Sequence, residues 1–258
     1  MTSPQDLLPD PTPQASAGAS AVPDTASVPL ATDTPIAPRP YGGAVLVACL
    51  ALALLMMSRW IDQPLTLAIQ QHVSDGVNKV FDKIGNLGDS EFYILAALAV
   101  YVVSLIGLRR GWACPLRAGF DRMARGAVLV VGSMAVGGLI TLVLKKVVAR
   151  TRPEVLIEDG WHGLVAPFTR GNDYNSFPSS HTLTAFAVAA AIGEIAPRWR
   201  IPALLIAALV AISRVINRDH YLSDVTAAAA IGILVAYYLA PYVLDSRRRW
   251  MFFARWRR

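Results

Sequence analysis

Six apolar blocks divide the chain: about Gly42–Ser58, Glu91–Leu108, Gly126–Val148, Ser179 to just before Pro197, Ile201–Ile216 and Leu222–Leu244. A helix needs about 20 predominantly apolar residues to cross a bilayer, so blocks of this kind predict spans. Between the first two blocks, apolar residues recur at helical spacing: Leu65, Ile69 and Val73, then Val77, Val80, Phe81 and Ile84. That period predicts one or two amphipathic helices lying on the membrane surface. The third block contains GSMAVGG, small residues that let helices approach closely. No internal repeat is evident. The pattern predicts an all-α integral membrane protein, a six-helix bundle with an interfacial amphipathic helical segment between spans 1 and 2.

Composition supports this class, with 54% hydrophobic and only 16% charged residues. Residues 1–40 carry nine prolines and no apolar period, which predicts a disordered tail rather than a cleaved signal peptide. Residues 41–246 then form the six-span domain and 247–258 a basic tail. Cys49 and Cys114 suggest neither a disulfide nor a metal site.

The net charge of +6 could indicate nucleic acid, but six of the 24 cations are arginines in the last twelve residues, beside a membrane span. Such a tail orients the protein and meets anionic lipid. With six spans both termini share one side. That side holds 14 Lys and Arg against 10, or against 7 without Lys145, Arg152 and Arg214. The positive-inside rule puts the termini in the cytoplasm and the polar clusters at the outer surface. A bacterial cytoplasmic membrane is the expected location.

Three clusters meet at that surface. Lys145 and Arg152 are seven residues apart, two helical turns, and share a face if the third span continues that far. Pro153 then marks the exit, and Lys146 and Arg150 fall on other faces as interfacial charges. In Pro178-Ser179-Ser180-His181 a helix N-terminus offers free N–H groups to an anion, Ser179 adds a hydroxyl, and His181 can deliver a proton. A plain serine N-cap after proline is the alternative. In SRVINRDHYLSD, His220 and Asp224 share a face if helical, and the carboxylate can leave one ring nitrogen basic. Arg214 adds a fork suited to phosphate. A snorkelling Arg and a loop-tying His–Asp pair are the bland alternative there. His72 reads as a surface histidine and His162 as a loop residue within reach of a headgroup. The whole set suits metal-independent phosphoryl transfer to histidine, with no cofactor.

K-x6-R-P at Lys145, Arg152 and Pro153, P-S-x-H at Pro178, Ser179 and His181, and S-R-x5-H-x3-D at Ser213, Arg214, His220 and Asp224 resemble the signatures of the type 2 phosphatidic-acid phosphatase superfamily. This group of membrane lipid phosphatases is related to acid phosphatases and vanadium haloperoxidases. The resemblance covers roughly residues 43–244 and departs at Ser180, where the family usually has glycine. It implies that His220 attacks phosphorus, Asp224 orients it, and His181 protonates the leaving oxygen and then activates water. Lys145, Arg152, Ser179, the Ser180 amide and Arg214 would hold the phosphate.

The expected partners are a phosphorylated membrane lipid and the bilayer, not nucleic acid. Undecaprenyl pyrophosphate, phosphatidylglycerol phosphate, phosphatidic acid and lipid A are all candidate substrates. A lipid phosphotransferase using the same phosphohistidine is the second enzyme reading. A lipid or anion transporter is the non-enzymatic one, disfavoured by the lack of related halves.

Overall fold

Long apolar runs closed by polar residues satisfy their backbone groups internally as helices. The computed structural model describes residues 43–110 and 114–245, all within one packing unit, and there the apolar blocks are helical. The predicted tail 1–40 and the basic segment 247–258 lie outside the described residues. The helices are α1 (Gly43–Trp60), α2 (Asp62–His72), α3 (Asp75–Gly85), α4 (Ser90–Arg109), α5 (Cys114–Val148), α6 (Pro153–Asp159), α7 (Ser180–Ile195), α8 (Arg200–Ile216) and α9 (Leu222–Val243). Among the described residues there is no strand, only an isolated antiparallel bridge between Arg150 and Leu164.

Four stretches are long and apolar enough to cross a membrane: Asp75–Arg109, Ala118–Val148, Pro197–Ile216 and Leu222–Val243. Val47–Trp60 and Ser180–Ile195 are apolar but shorter.

The core is built around α7, which packs on α5, α8 and α9. Its alanines make this possible: Ala185, Ala187, Ala189 and Ala191 are all buried. Across from them, a Cβ at Gly232 of α9 would lie 2.8 Å from the Ala187 amide nitrogen and 2.9 Å from the Leu183 carbonyl oxygen. Only glycine permits that approach of two backbones. At the far end, arginines satisfy helix carbonyls that would otherwise be orphaned. The Arg122 guanidinium donates to the Ile195 carbonyl at 2.5 Å, and Arg125 donates to those of Val243 and Asp245 at 3.3 and 3.0 Å. Both precede Gly126, the start of the third apolar block, and so fall outside it by sequence. They lie instead on α5, which begins well before Gly126.

The segment between α1 and α4 forms two helices, α2 and α3, and α3 docks against α8. Asp62 and Thr66 of α2 are buried, which a helix lying loosely on a surface would not produce.

Candidate active site

The helix of the third block stops sooner than the two-turn argument requires. α5 ends at Val148, and Ala149 takes a left-handed conformation at φ 45°. Lys145 therefore rides on α5, while Arg152 lies beyond it as the residue before α6, extended at ψ 160°. The following proline imposes that conformation and opens α6 at its first turn. Their shared helical face is thus corrected. Arg152 is brought in by the bridge at Arg150 and by its own amide, which donates to the Asp173 carbonyl at 2.7 Å. The Lys145 ammonium donates to the Asn175 carbonyl at 2.5 Å.

The second expected shared face also dissolves. His220 precedes α9 and sits in the turn after α8. Asp224 is in the first turn of α9, where its Oδ2 accepts the Tyr221 amide hydrogen at 3.0 Å. Asp224 is not the direct partner of the imidazole, since its Oδ2 lies 3.9 Å from His220 Nδ1. That place is taken by the Ser176 carbonyl, 2.7 Å from Nδ1. The Ser176 hydroxyl in turn donates to Asp224 Oδ2 at 2.5 Å. Asp224 is therefore linked to His220 through Ser176. A carbonyl can only accept, so Nδ1 carries the hydrogen and Nε2 the lone pair. Burial, and then the positive charges of Lys145, Arg152 and Arg214, push the His220 imidazole well below its ordinary pKa. The three cations and His220 thus occupy one electrostatic neighbourhood.

Ser179 is the residue before α7, and its buried hydroxyl has no hydrogen-bond partner among the described residues. Arg152 Nε and Arg214 Nε are likewise buried and unpartnered. Buried donors ordinarily find partners, and these three are of the kind that can donate to an anion. Arg214 also pairs with Asp219 at 2.9 Å, and burial pushes the Asp219 carboxyl up against the pull of that arginine. Ser180 begins α7 and is exposed, and His181 follows, with Nε2 at 3.0 Å from Asp89 Oδ1. A cavity of about 340 Å³ runs from Lys145 and Ser180 down between α4, α5 and α7, past Ile94, Met134, Gly138 and Leu183.

Arg150 is the largest departure from expectation. It is no interfacial charge but is 6% exposed. Nη1 donates to Ser223 Oγ at 2.7 Å and Asp224 Oδ1 at 2.6 Å. Nη2 donates to Asp62 Oδ2 at 2.8 Å and Ser58 Oγ at 3.1 Å. The guanidinium also lies 4.2 Å from the centre of the Tyr221 ring, whose buried hydroxyl is pushed up to about 12. Two carboxylates flanking a planar fork account for its burial. The available signal was Asp62 itself, a carboxylate beside an apolar block and in need of a cation.

His72 is exposed, and its Nδ1 lies 2.8 Å from the Ala68 carbonyl. His162 lines a separate groove with Arg59, Leu54 and Phe177. Among the described residues, no group of three or more His, Cys, Asp or Glu side chains is placed to hold a metal ion.

The model of the PAP2 superfamily matches residues 126–248. Three relatives, each a lipid A 1-phosphatase, align with parts of the chain. That of Rhizobium johnstonii is 36% identical over 37% of this chain and 38% of its own length. That of Rhizobium etli is 26% identical over 60% of this chain and 67% of its own. That of Porphyromonas gingivalis is 42% identical over 25% of this chain and 16% of its own. The crystal structure of a transmembrane PAP2-type phosphatidylglycerolphosphate phosphatase from Bacillus subtilis superposes with a TM-score of 0.57 at 21% identity, covering 81% of this chain and 98% of that one. The matched segment, residues 126–248, includes all three clusters around His220, and over that segment the chain resembles the PAP2 superfamily.

Proposed function

We propose that this protein is an integral membrane lipid phosphatase that removes phosphate from a membrane lipid through a phosphohistidine, using fixed cations and no metal. The observation that carries it is the convergence of three cations and an orphaned serine hydroxyl on a histidine with one committed ring nitrogen. His220 Nε2 attacks phosphorus, and the phosphorus–oxygen bond to the lipid breaks as His181 gives the departing oxygen a proton. Water then attacks the phosphohistidine, its proton returns to His181, and phosphate leaves. Lys145, Arg152, Arg214, Ser179 and the Ser180 amide hold the phosphate oxygens and stabilise charge in both transition states. A Ser180 amide at the start of α7 serves as well as a glycine amide, because the contact is to backbone.

The cavity below Lys145 and Ser180 favours a lipid. Its far wall is apolar and at the depth of the spans, so an acyl chain can lie there while the phosphate rests on the cations. Among lipid phosphates, the relatives favour lipid A bearing its 1-phosphate. α1 and α7 complete a six-span bundle with α4, α5, α8 and α9. Both termini are then cytoplasmic and the site opens on the outer face of an inner membrane.

The test is phosphate release by detergent-purified protein from lipid A 1-phosphate, phosphatidylglycerol phosphate, phosphatidic acid and undecaprenyl pyrophosphate, with chelator present. Lipid A is expected to turn over fastest, with release falling at least about 10³-fold in His220→Ala. Undiminished release by folded His220→Ala, or loss with chelator that added metal restores, would overturn the mechanism. Labelled phosphate passing only to an added lipid acceptor would make the protein a phosphotransferase.

A further inference from the structure

The turn from Gly85 to Asp89 belongs to none of the three clusters, yet it lies against two of their residues. A Cβ at Gly85 would come within 2.8 Å of Arg214 Nη1. A Cβ at Gly88 would meet His181 Cβ at 2.7 Å, and the His181 carbonyl oxygen and Val210 Cγ1 at 3.0 Å. The 3-10 turn Asn86–Gly88 reaches His181 because these two positions lack side chains. The Tyr93 hydroxyl donates to the Leu87 carbonyl at 2.6 Å and pins the turn to α4.

What the turn delivers is Asp89, with Oδ1 3.0 Å from His181 Nε2. An ionised carboxylate only accepts, so the hydrogen belongs on Nε2. His181 Nδ1 has no hydrogen-bond partner among the described residues. The other charged groups acting on the ring are Arg214 of α8 and Asp219 of the turn that follows it.

We infer that Asp89 is a positioning residue for His181, holding the ring through Nε2–H so that Nδ1 is the nitrogen that exchanges protons with the reaction. Its chemistry rests on the phosphatase reading; its tautomer does not. In the first half-reaction the bond from His220 to phosphorus forms, the bond from phosphorus to the lipid oxygen breaks, and the Nδ1 proton passes to that oxygen. In the second, water oxygen bonds to phosphorus, the bond to His220 breaks, and a water proton returns to Nδ1. Throughout, Nε2–H stays on Asp89, whose charge supports the imidazolium.

Asp89→Asn and Asp89→Ala test this on the full chain. With a lipid phosphate, Asp89→Asn is expected to lower kcat about tenfold to hundredfold with KM little changed. It should also move the alkaline limb of kcat about one unit toward lower pH, because the imidazolium loses its counter-charge. With p-nitrophenyl phosphate, whose phenolate departs without a proton, labelled phosphoenzyme should form within about threefold of the wild-type rate.

A purely structural role for Asp89 predicts equal losses with both substrates and an unmoved pH limb, and either result in a folded variant overturns the inference. A second measurement needs no turnover. The chain has four histidines, so 15N spectra of the detergent-solubilised protein, assigned with His181→Gln, can report the His181 tautomer at pH 8. Nε2–H in the wild type and a mixture in Asp89→Ala support the inference; Nδ1–H in the wild type overturns it. If the wild type releases no phosphate from any lipid, the phosphatase reading falls and the tautomer alone decides.

Discussion

Burial favours a neutral His220, with Nδ1 committed to the Ser176 carbonyl and Nε2 left for the attack proposed above. Protonating it would bring a fourth positive charge beside Lys145, Arg152 and Arg214 in a buried place. Folding is therefore linked to pH. In the unfolded chain the imidazole titrates at about 6.5, whereas in the folded protein it does so lower, so the unfolded state binds more protons between the two values. Stability from this residue is full above about pH 6.5 and is lost as pH falls toward the folded value, at up to about 1.4 kcal/mol per pH unit. The thermal midpoint in detergent should drop from pH 7.5 to 5.5, and His220→Gln should flatten that drop. At this scale the cations and histidines of the candidate site were legible, because few side chains are suited to phosphoryl chemistry. The Ser176 carbonyl was not, because any residue supplies a carbonyl and only folding aims it.

Among the elements, Arg150 ties together parts of the chain that sequence keeps far apart. It joins the end of α1 and the start of α2, through Ser58 and Asp62, to the first turn of α9, through Ser223 and Asp224. Removing it leaves two buried carboxylates without their cation. Arg150→Ala is expected to cost about 3–5 kcal/mol in folding, read from denaturant unfolding in mixed micelles. Arg150→Lys should recover only part of this, since an ammonium cannot reproduce the fork. A loss below about 1 kcal/mol, the range of an exposed pair, would contradict the buried network. Hydrophobic period announced α4, α7, α8 and α9 nearly to their ends. It also placed the stop of the third block at Val148 but missed the long start of α5, and it could not show how the chain turns beyond that stop, since a left-handed Ala149 and a bridge to Leu164 are tertiary outcomes.

For the molecule as a whole, the orientation proposed from charge can be measured. In a chain with Cys49 and Cys114 replaced by serine, Asp173→Cys lies beside the site, and Arg198→Cys lies between α7 and α8. A membrane-impermeant maleimide should label the first in intact cells and the second only after permeabilisation. The reverse order would invert the proposed topology. Arg122 and Arg125 on that same side bond carbonyls at the ends of α7 and α9, so their charge also serves packing.

The sequence by itself determined the class, the order of the apolar helices and the residues equipped to hold phosphate and exchange protons. It could do so because span length, hydrophobicity and side-chain chemistry are local properties. Tertiary structure alone decided that Arg152 joins the site from beyond α5, and that Ser176 rather than Asp224 holds the His220 ring. It also decided that Arg150 is a buried tie and that Asp89 reaches His181. Those arrangements depend on how closely neighbouring elements can approach at Gly85, Gly88 and Gly232, and on how buried charges find partners across long stretches of chain.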